Sequence, residues 1–217
     1  MSASHARIAR IARLDWADIA SQLDAEGYAV LPGLLDAIAA RELACRIDAV
    51  CPAPLDDWGT TFYRHLAAVA NRWQALLGID GRYPPEWDAF LACNRRAGQM
   101  RPLSHAYRLS AGEHVALHQC NEGEHVFPLQ IVAVLSEPGV DFTGGEFVMT
   151  EQRPRMQSRP IVVPMRLGDA AVIATAQRPC KGANGYYRVN LKHAISRVHA
   201  GRRVGIEWTF HNGYARA

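Results

Sequence analysis

The pattern of apolar residues changes near Pro102, and this change limits the possible folds more than any other feature of the chain. Eight short apolar or alternating runs follow it, separated by turn-forming residues: Ala106–Leu109, His114–His118, Phe127–Leu135, Glu146–Thr150, Ile161–Met165, Ala170–Ala176, Tyr187–Leu191 and Val204–Phe210. Runs of this length and spacing are typical of antiparallel sandwiches and barrels. Eight strands fit a jelly roll.

The residues before this point show helical spacing instead. Four helices are expected from their caps and apolar stripes: from Asp15 to Gly27, from Asp36 onward, from Phe62 to Gly78, and from Pro85 to Gly98. A short apolar run before Pro32 suits one strand. We therefore expect an α+β protein, in which N-terminal helices brace one sheet of a double-stranded β-helix, the cupin-like jelly roll.

Length and composition indicate a folded protein with one domain. The chain has 217 residues, of which 49% are hydrophobic and 21% charged, and these proportions are ordinary for a globular protein. We expect residues 1–217 to form a single domain, with a mostly helical annex over 1–100 and the jelly-roll core over 101–217. A net charge of only +3 is too small to indicate nucleic-acid binding by itself.

The N-terminal segment, residues 1–16, carries arginine at every third position but no apolar core or cleavage site of a signal peptide. No apolar run approaches the roughly 20 residues of a membrane span. We expect a cytoplasmic protein that makes no membrane contact. An organellar presequence and a surface-binding helix are alternatives to a plain solvated helix in this segment.

A small set of potential metal ligands lies within the strand-rich half. His118 and Cys120 are two residues apart, so on a strand both side chains point to the same face and reach one metal. His193 follows at the end of the run from Tyr187 to Leu191, as a third ligand from another strand would. The five cysteines form no CxxC pair, which disfavours both a disulfide framework and a zinc ribbon.

Several longer strings accompany these ligands: GEHVFPLQ from Gly123, LSEPG from Leu135, DFTGGEF from Asp141, TEQRPRMQSR from Thr150, GDA from Gly168 and YRVNLKHAISRV from Tyr187. In their order and spacing the chain, from about Trp73 onward, resembles the Fe(II)- and 2-oxoglutarate-dependent oxygenases. Those enzymes carry an H-x-D motif, a distal histidine and an arginine about ten residues later. In closer detail the chain is similar to a bacterial subfamily described as acting on damaged nucleic acids.

The resemblance implies Fe(II), the cosubstrate 2-oxoglutarate and O2, with His118 and His193 as metal ligands. It implies that Arg203 binds the distal carboxylate of 2-oxoglutarate, because a guanidinium meets a carboxylate through two parallel hydrogen bonds. Tyr107 is a second candidate for the cosubstrate pocket. Arg197 and Tyr187 are candidates for substrate binding. The implied activity is that of a dioxygenase coupling decarboxylation of 2-oxoglutarate to oxidation of a substrate.

Cys120 departs from the pattern, because it stands where the resemblance implies the carboxylate ligand. A thiolate is able to ligate iron, although its softness shifts preference toward zinc or Cu(I). Cys120 is then an iron ligand, or a bystander beside a site completed by water or halide, or part of a Zn or Cu site in a catalytically inactive binding paralogue. Oxidation of its sulfur to a sulfinate is a remoter alternative.

Three residues near Cys120 are possible substitute ligands. Glu122 reaches the metal only if the chain bulges, and we expect Glu122 and Glu124 in a solvated loop. His125 opens a matched string, so we expect it to pack rather than to ligate.

The substrate is the least constrained prediction. Four arginines make the densest positive patch of the chain: Arg153, Arg155, Arg159 and Arg166. The prolines among them indicate a strand edge protected by charge. We therefore expect a small-molecule substrate, with oxidative demethylation of damaged nucleic acid bases as a less favoured alternative.

Overall fold

A computed structural model of the protein describes residues 3–47 and 56–215. Its helices are α1 (Ala3–Ala12), α2 (Trp16–Glu26), α3 (Ala37–Arg46), α4 (Asp56–Leu76) and α5 (Trp87–Arg96). Its strands are β1 (Tyr28–Leu31), β2 (Gln99–Pro102), β3 (His105–Ser110), β4 (Val115–His118), β5 (Leu129–Val134), β6 (Phe142–Gly144), β7 (Phe147–Gln152), β8 (Arg159–Val163), β9 (Ala170–Ala174), β10 (Gln177–Gly182), β11 (Gly185–Ile195), β12 (Val198–Thr209) and β13 (Asn212–Tyr214).

The capping residues set helix boundaries as the sequence predicts. Before α2, the carboxylate of Asp15 accepts two backbone hydrogen bonds, of 3.0 and 3.1 Å, and after it Gly27 adopts the left-handed conformation at φ 80°. Asp36 caps α3 by accepting the backbone N–H of Ala39 at 2.8 Å. These bonds satisfy backbone donors that a helix leaves open at its first turn.

Two antiparallel sheets face each other and confirm the jelly roll. The larger sheet has the order β1-β9-β5-β12-β3, with β6 also pairing with β12. The smaller sheet has the order β10-β11-β7-β8, with β4 also pairing with β11. Their inner faces enclose an apolar core that includes Ile131, Phe147 and Leu191. The site described below lies between β4 and β11 of the smaller sheet and β12 of the larger.

Helix α2 braces the edge of the larger sheet, and α2 and α4 also contact β10 of the smaller sheet. Helix α2 packs against β1 and β9, and its buried residues Ile19 and Leu23 belong to the same apolar core as the strands. None of the helices within the described ranges is both long and apolar enough to cross a membrane.

Strand boundaries differ from the prediction at the two places that matter for the site. Strand β11 continues to Ile195, so His193 lies inside a strand rather than at the end of one. Strand β4 ends at His118, so Cys120 lies just beyond it instead of within it. Regular strand geometry therefore does not explain why the side chains of Cys120 and His118 point to the same place.

Candidate metal and cosubstrate site

His118 and His193 are brought together by strand pairing. They are direct partners in the antiparallel register of β4 with β11, and their ring centroids are 4.2 Å apart. Nδ1 of His118 lies 2.9 Å from the carbonyl oxygen of Ala116, which fixes the ring and leaves Nε2 available as a ligand atom. His193 is fully buried, and the ring of Phe147 stacks on it at a centroid distance of 5.8 Å.

Cys120 reaches the two histidines from the segment that follows β4. Its Sγ is 4.0 Å from Nε2 of His193, and its side chain is half-buried. The structure therefore brings the three sequence-predicted metal residues into one cluster.

Glu207 is a fourth member of this cluster, which we did not predict from the sequence. It lies on β12, has no exposed surface, and its Oε2 is 3.5 Å from Nε2 of both His118 and His193. Its Oε1 is buried without a hydrogen-bond partner among the described residues. Ligand atoms of His118, Cys120, His193 and Glu207 all lie within 4.8 Å of one another. This donor set and the unpartnered oxygen fit a divalent transition metal.

Hydrogen bonds within the cluster shift the pKa values of its members. Hydrogen bonds with Cys120 and with Glu207 raise the pKa of His118 to about 10. Burial alone would raise the pKa of Glu207, but hydrogen bonds with His118 and His193 outweigh it and hold that pKa well below its usual range. Burial likewise opposes ionisation of Cys120, yet contacts with the same two histidines lower the pKa of its thiol. A metal that binds here must displace protons from the histidines.

One signal in the sequence points to Glu207. Residues four apart on a strand share a face, so Glu207 follows Arg203 on the inner face of β12. The alternate residues Val204, Ile206 and Trp208 are apolar. The sequence therefore indicates that Glu207 lies on the same strand face as Arg203, the expected cosubstrate arginine. It does not indicate that Glu207 lies close to His118.

Arg203 is a buried guanidinium without a carboxylate partner. It is only 1% exposed, donates a hydrogen bond to the hydroxyl of Tyr107, and has no carboxylate within 4.0 Å in the part of the chain that the structure describes. Its Nε is buried and unpartnered there. The guanidinium carbon lies 5.2 Å from the ring centroid of Tyr107 and 5.8 Å from that of Phe142.

A cavity of about 300 Å³ opens beside Arg203. Its walls include the apolar side chains of Phe142, Phe147 and Val163. Since Phe147 also stacks on His193, the same aromatic ring borders the cavity and the metal-ligand cluster. The pocket therefore combines the Arg203 guanidinium and the Glu146 carboxylate with several apolar side chains, next to a metal-binding set.

Gly205 makes room for Tyr107 between Arg203 and Glu207. A Cβ at this position would lie 2.2 Å from the Tyr107 hydroxyl, so only glycine lets the ring lie over the strand. Burial raises the pKa of Tyr107, which keeps its hydroxyl protonated and able to accept from Arg203 as a neutral group.

The predicted substrate residues are not brought to the cluster. Arg197 is exposed in the turn between β11 and β12, where its carbonyl accepts the N–H of Gly145 at 3.0 Å. Tyr187 is six residues from His193 along β11, a separation of about 20 Å at ~3.3 Å per residue. The register sets it opposite Cys180 at the far end of that strand.

The substitute ligands considered from the sequence also lie outside the cluster. Glu122 contacts Arg101, with Oε1 2.7 Å from the guanidinium. Glu124 is 67% exposed at its side chain, and its carboxylate lies 3.7 Å from the imidazole of His125. This exposure agrees with the solvated loop that the sequence predicts for Glu122 and Glu124.

The sequence of the chain matches known proteins over most of its length. Residues 47–213 match the model of a family described as oxygenases catalysing oxidative methylation of damaged DNA. Two uncharacterized proteins of Mycobacterium tuberculosis, from strains CDC 1551 / Oshkosh and ATCC 25618 / H37Rv, are each 37% identical over 150 residues. That alignment covers 69% of this chain and 64% of theirs, so the chain matches less than two thirds of these relatives' length.

The fold resembles solved oxygenases. A prolyl-4-hydroxylase of Pseudomonas putida superposes with a TM-score of 0.54 at 14% identity, covering 92% of this chain and 96% of that one. An oxidoreductase of the 2OG-Fe(II) oxygenase family from Burkholderia pseudomallei gives a TM-score of 0.50 at 17% identity, covering 93% of each chain. At such identities the likeness extends to the fold alone.

Proposed function

Because the chain belongs to the oxygenase family whose model matches residues 47–213, we propose that it is a non-heme Fe(II), 2-oxoglutarate-dependent dioxygenase. His118 and His193 hold the metal through Nε2. The third ligand comes from Cys120 or Glu207, whose donor atoms are 4.0 Å apart. Bound Fe(II) would supply the activation of O2 that two histidines and one further ligand with open positions support.

The buried guanidinium of Arg203 is the observation that carries this proposal. A buried charge without an ionic partner is costly, so a protein retains one where a ligand supplies the opposite charge. The distal carboxylate of 2-oxoglutarate is such a partner, and it would accept two parallel hydrogen bonds from the guanidinium. Tyr107 accepts a hydrogen bond from the arginine, and apolar side chains form part of the cavity wall beside it.

Formation of succinate from 2-oxoglutarate tests the activity directly. Purified protein is incubated with Fe(II), 2-oxoglutarate and O2, and succinate is quantified for the wild type, Cys120→Asp and Arg203→Gln. We expect turnover by the wild type and at least a ~100-fold loss in Arg203→Gln, because a charged bidentate pair is removed.

The variants also separate the alternatives left open by Cys120. Succinate formed only by Cys120→Asp would mark the natural protein as a binding paralogue that holds Zn or Cu or is otherwise inactive. Metal analysis of the purified wild type then identifies the ion. Absence of succinate from every variant would contradict the proposal that the chain is a dioxygenase.

For the substrate, we propose a small molecule. Two of the four patch arginines are engaged with carboxylates, since Arg153 contacts Glu151 at 2.8 Å and Arg159 contacts Glu26 at 3.3 Å. Such pairs reduce the positive field available to a phosphate backbone. They support the interpretation of this edge as protected by charge.

The family description names damaged DNA and so supports a second candidate substrate. For this candidate we propose oxidative demethylation of damaged nucleic acid bases. Binding of methylated and unmethylated single-stranded oligonucleotides, measured at two salt concentrations, separates the two candidates. A nucleic-acid enzyme should bind with a clear salt dependence and should produce extra succinate only with the methylated strand. Neither response would be seen for a small-molecule enzyme.

A further inference from the structure

We propose that Glu207, and not Cys120, is the third protein ligand of the metal. The site is then a set of two histidines and one carboxylate in which the carboxylate comes from β12 rather than from the residue two beyond His118. The inference rests on the proposed function only for the choice of Fe(II), because the geometry applies to any divalent metal that prefers the same types of ligand.

Glu207 is a buried carboxylate whose nearest side chains are all potential metal ligands. Its Oε2 lies 3.5 Å from His118 and His193, and 4.0 Å from His105 and from the thiol of Cys120. No arginine or lysine within residues 3–47 and 56–215 lies within 4.0 Å of it. Buried carboxylates are stable when they are paired or bind metal, and Oε1 has neither kind of partner here.

The number of coordination positions also favours one anionic ligand over two. A non-heme Fe(II) site of this kind would be held by two histidines and one carboxylate, with further positions left open. His118 and His193 would supply the two histidines, so one further ligand, from Cys120 or Glu207, would complete the set.

Between the two, the carboxylate suits Fe(II) better. A hard oxygen donor matches Fe(II), whereas a thiolate shifts the preference toward zinc or Cu(I). The Oε2 atom of Glu207 is equally close to both histidine Nε2 atoms, whereas the Cys120 sulfur is 4.0 Å from that of His193. Glu207 is also held in the middle of a paired strand, while Cys120 lies beyond the end of β4.

The cysteine itself is explained by the same arrangement. Its Sγ lies 4.0 Å from Oε2 of Glu207, so an aspartate at position 120 would bring two carboxylates into one buried site. With Glu207 as the carboxylate ligand, an aspartate at position 120 is not needed to complete a set of two histidines and one carboxylate.

Anaerobic titration of the metal-free protein with Fe(II), and in parallel with Co(II), tests the proposal without any turnover. Glu207→Gln should weaken Fe(II) binding by more than about 100-fold, since even residues that only support a ligand change affinity ~10–100-fold. Cys120→Ala should weaken it by no more than about 10-fold. Glu124→Gln removes an exposed carboxylate outside the cluster, and it should match the wild type.

A double variant guards against misfolding of Glu207→Gln. In Cys120→Asp/Glu207→Gln the carboxylate moves to the position two beyond His118, and Fe(II) affinity should return to within about 10-fold of the wild type. The Co(II) form of the wild type should lack a sulfur-to-cobalt charge-transfer band.

Other patterns would overturn the proposal. A loss of more than about 100-fold in Cys120→Ala, with Glu207→Gln unaffected, would make the sulfur the ligand. Equal losses in both variants would mean four protein ligands, and no loss in either would mean none beyond the histidines. Metal binding that follows the expected pattern without succinate formation would uphold Glu207 as a ligand and count against the dioxygenase activity alone.

Discussion

Addition of 2-oxoglutarate to the Fe(II)-loaded protein under argon is expected to raise its midpoint of thermal unfolding, because the buried guanidinium of Arg203 gains a carboxylate partner. A ligand present at 100 times its Kd stabilises the folded state by ~2.7 kcal/mol. For a chain of 217 residues, each kcal/mol changes the midpoint by ~2–4 °C. The expected increase is therefore about 5–11 °C.

Arg203→Gln should remove most of this increase. Each hydrogen bond to a charged group contributes ~1.5–3 kcal/mol, so two parallel bonds to a carboxylate contribute at least ~3 kcal/mol, or about 100-fold in affinity. Without ligand, the variant should be no less stable than the wild type, because a 1% exposed charge with only a neutral hydroxyl as partner is replaced by a neutral amide.

Differential scanning fluorimetry and isothermal titration, both with 2-oxoglutarate, measure these changes. Arg202→Gln is the matched control, since Arg202 is the neighbouring arginine on β12 and is exposed. It should retain the full ligand-induced increase. If Arg203→Gln were stabilised by 2-oxoglutarate as much as the wild type, the carboxylate would bind elsewhere and the interpretation of the cavity would be wrong.

Three further predictions concern stability. Burial lowers the pKa of His211 from 6.5 to about 4, so the unfolded chain binds the proton more tightly and stability falls as pH drops through this window. The difference of about 2.5 units between the two pKa values corresponds to ~3 kcal/mol of unfolding free energy. The unfolding free energy of His211→Asn, measured in urea, should therefore vary less between pH 6.5 and 4 than that of the wild type. The same pH dependence in both proteins would contradict this. Glu151 and Arg178 form a buried ion pair, each 2% exposed, so Glu151→Gln should lower the unfolding free energy by ~3–5 kcal/mol in urea, against less than 1 kcal/mol if the pair were solvated. Gly59→Ala would set a Cβ 2.1 Å from the ring of Trp87, so it should destabilise α4 by ~1–3 kcal/mol in thermal melts, whereas helix propensity alone predicts a gain of about 1 kcal/mol.

Much of the fold follows from local patterns in the sequence. The Asp15 and Asp36 caps and the stop at Gly27 set helix boundaries through backbone hydrogen bonds that involve only neighbouring residues. Helix caps of this kind are predictable from the sequence without knowledge of the tertiary structure. The alternating runs likewise indicate the principal strands and hence the jelly roll.

The strands that the sequence did not indicate are those whose stability depends on their neighbours. Strand β10 contains Pro179 and ends at Gly182, and both residue types normally signal turns. It forms because every one of its residues pairs with β11 across a hairpin. This pairing extends β11 before the run that alternation predicts, and pairing with β7 and β4 extends it beyond Leu191.

The candidate site likewise contains residues that the sequence predicts and one that depends on the tertiary structure. The roles of His118, His193 and Arg203 are predicted from the family resemblance. Glu207 has no counterpart in that pattern; its place on the same strand face as Arg203 can be read from the sequence, but its closeness to His118 arises from the facing of two sheets. Tyr187 shares a strand with His193, but the rise of that strand keeps the two side chains apart, so a role in substrate binding stays a prediction.

Strand β12 carries both the proposed cosubstrate-binding arginine and the proposed carboxylate ligand, and this has a mechanical consequence. Arg203 and Glu207 are four residues apart, or about 13 Å along the backbone, on the strand that lies between β5 and β3 in the larger sheet. Their separation is therefore fixed by a paired strand. His118 and His193 hold the metal from the smaller sheet, so the position of the metal also depends on how the two sheets pack. A ligand at position 120 would add a dependence on the segment that follows β4. If Glu207 is the ligand instead, substitutions in residues 121–126 should change Fe(II) affinity less than Glu207→Gln does in the anaerobic titration.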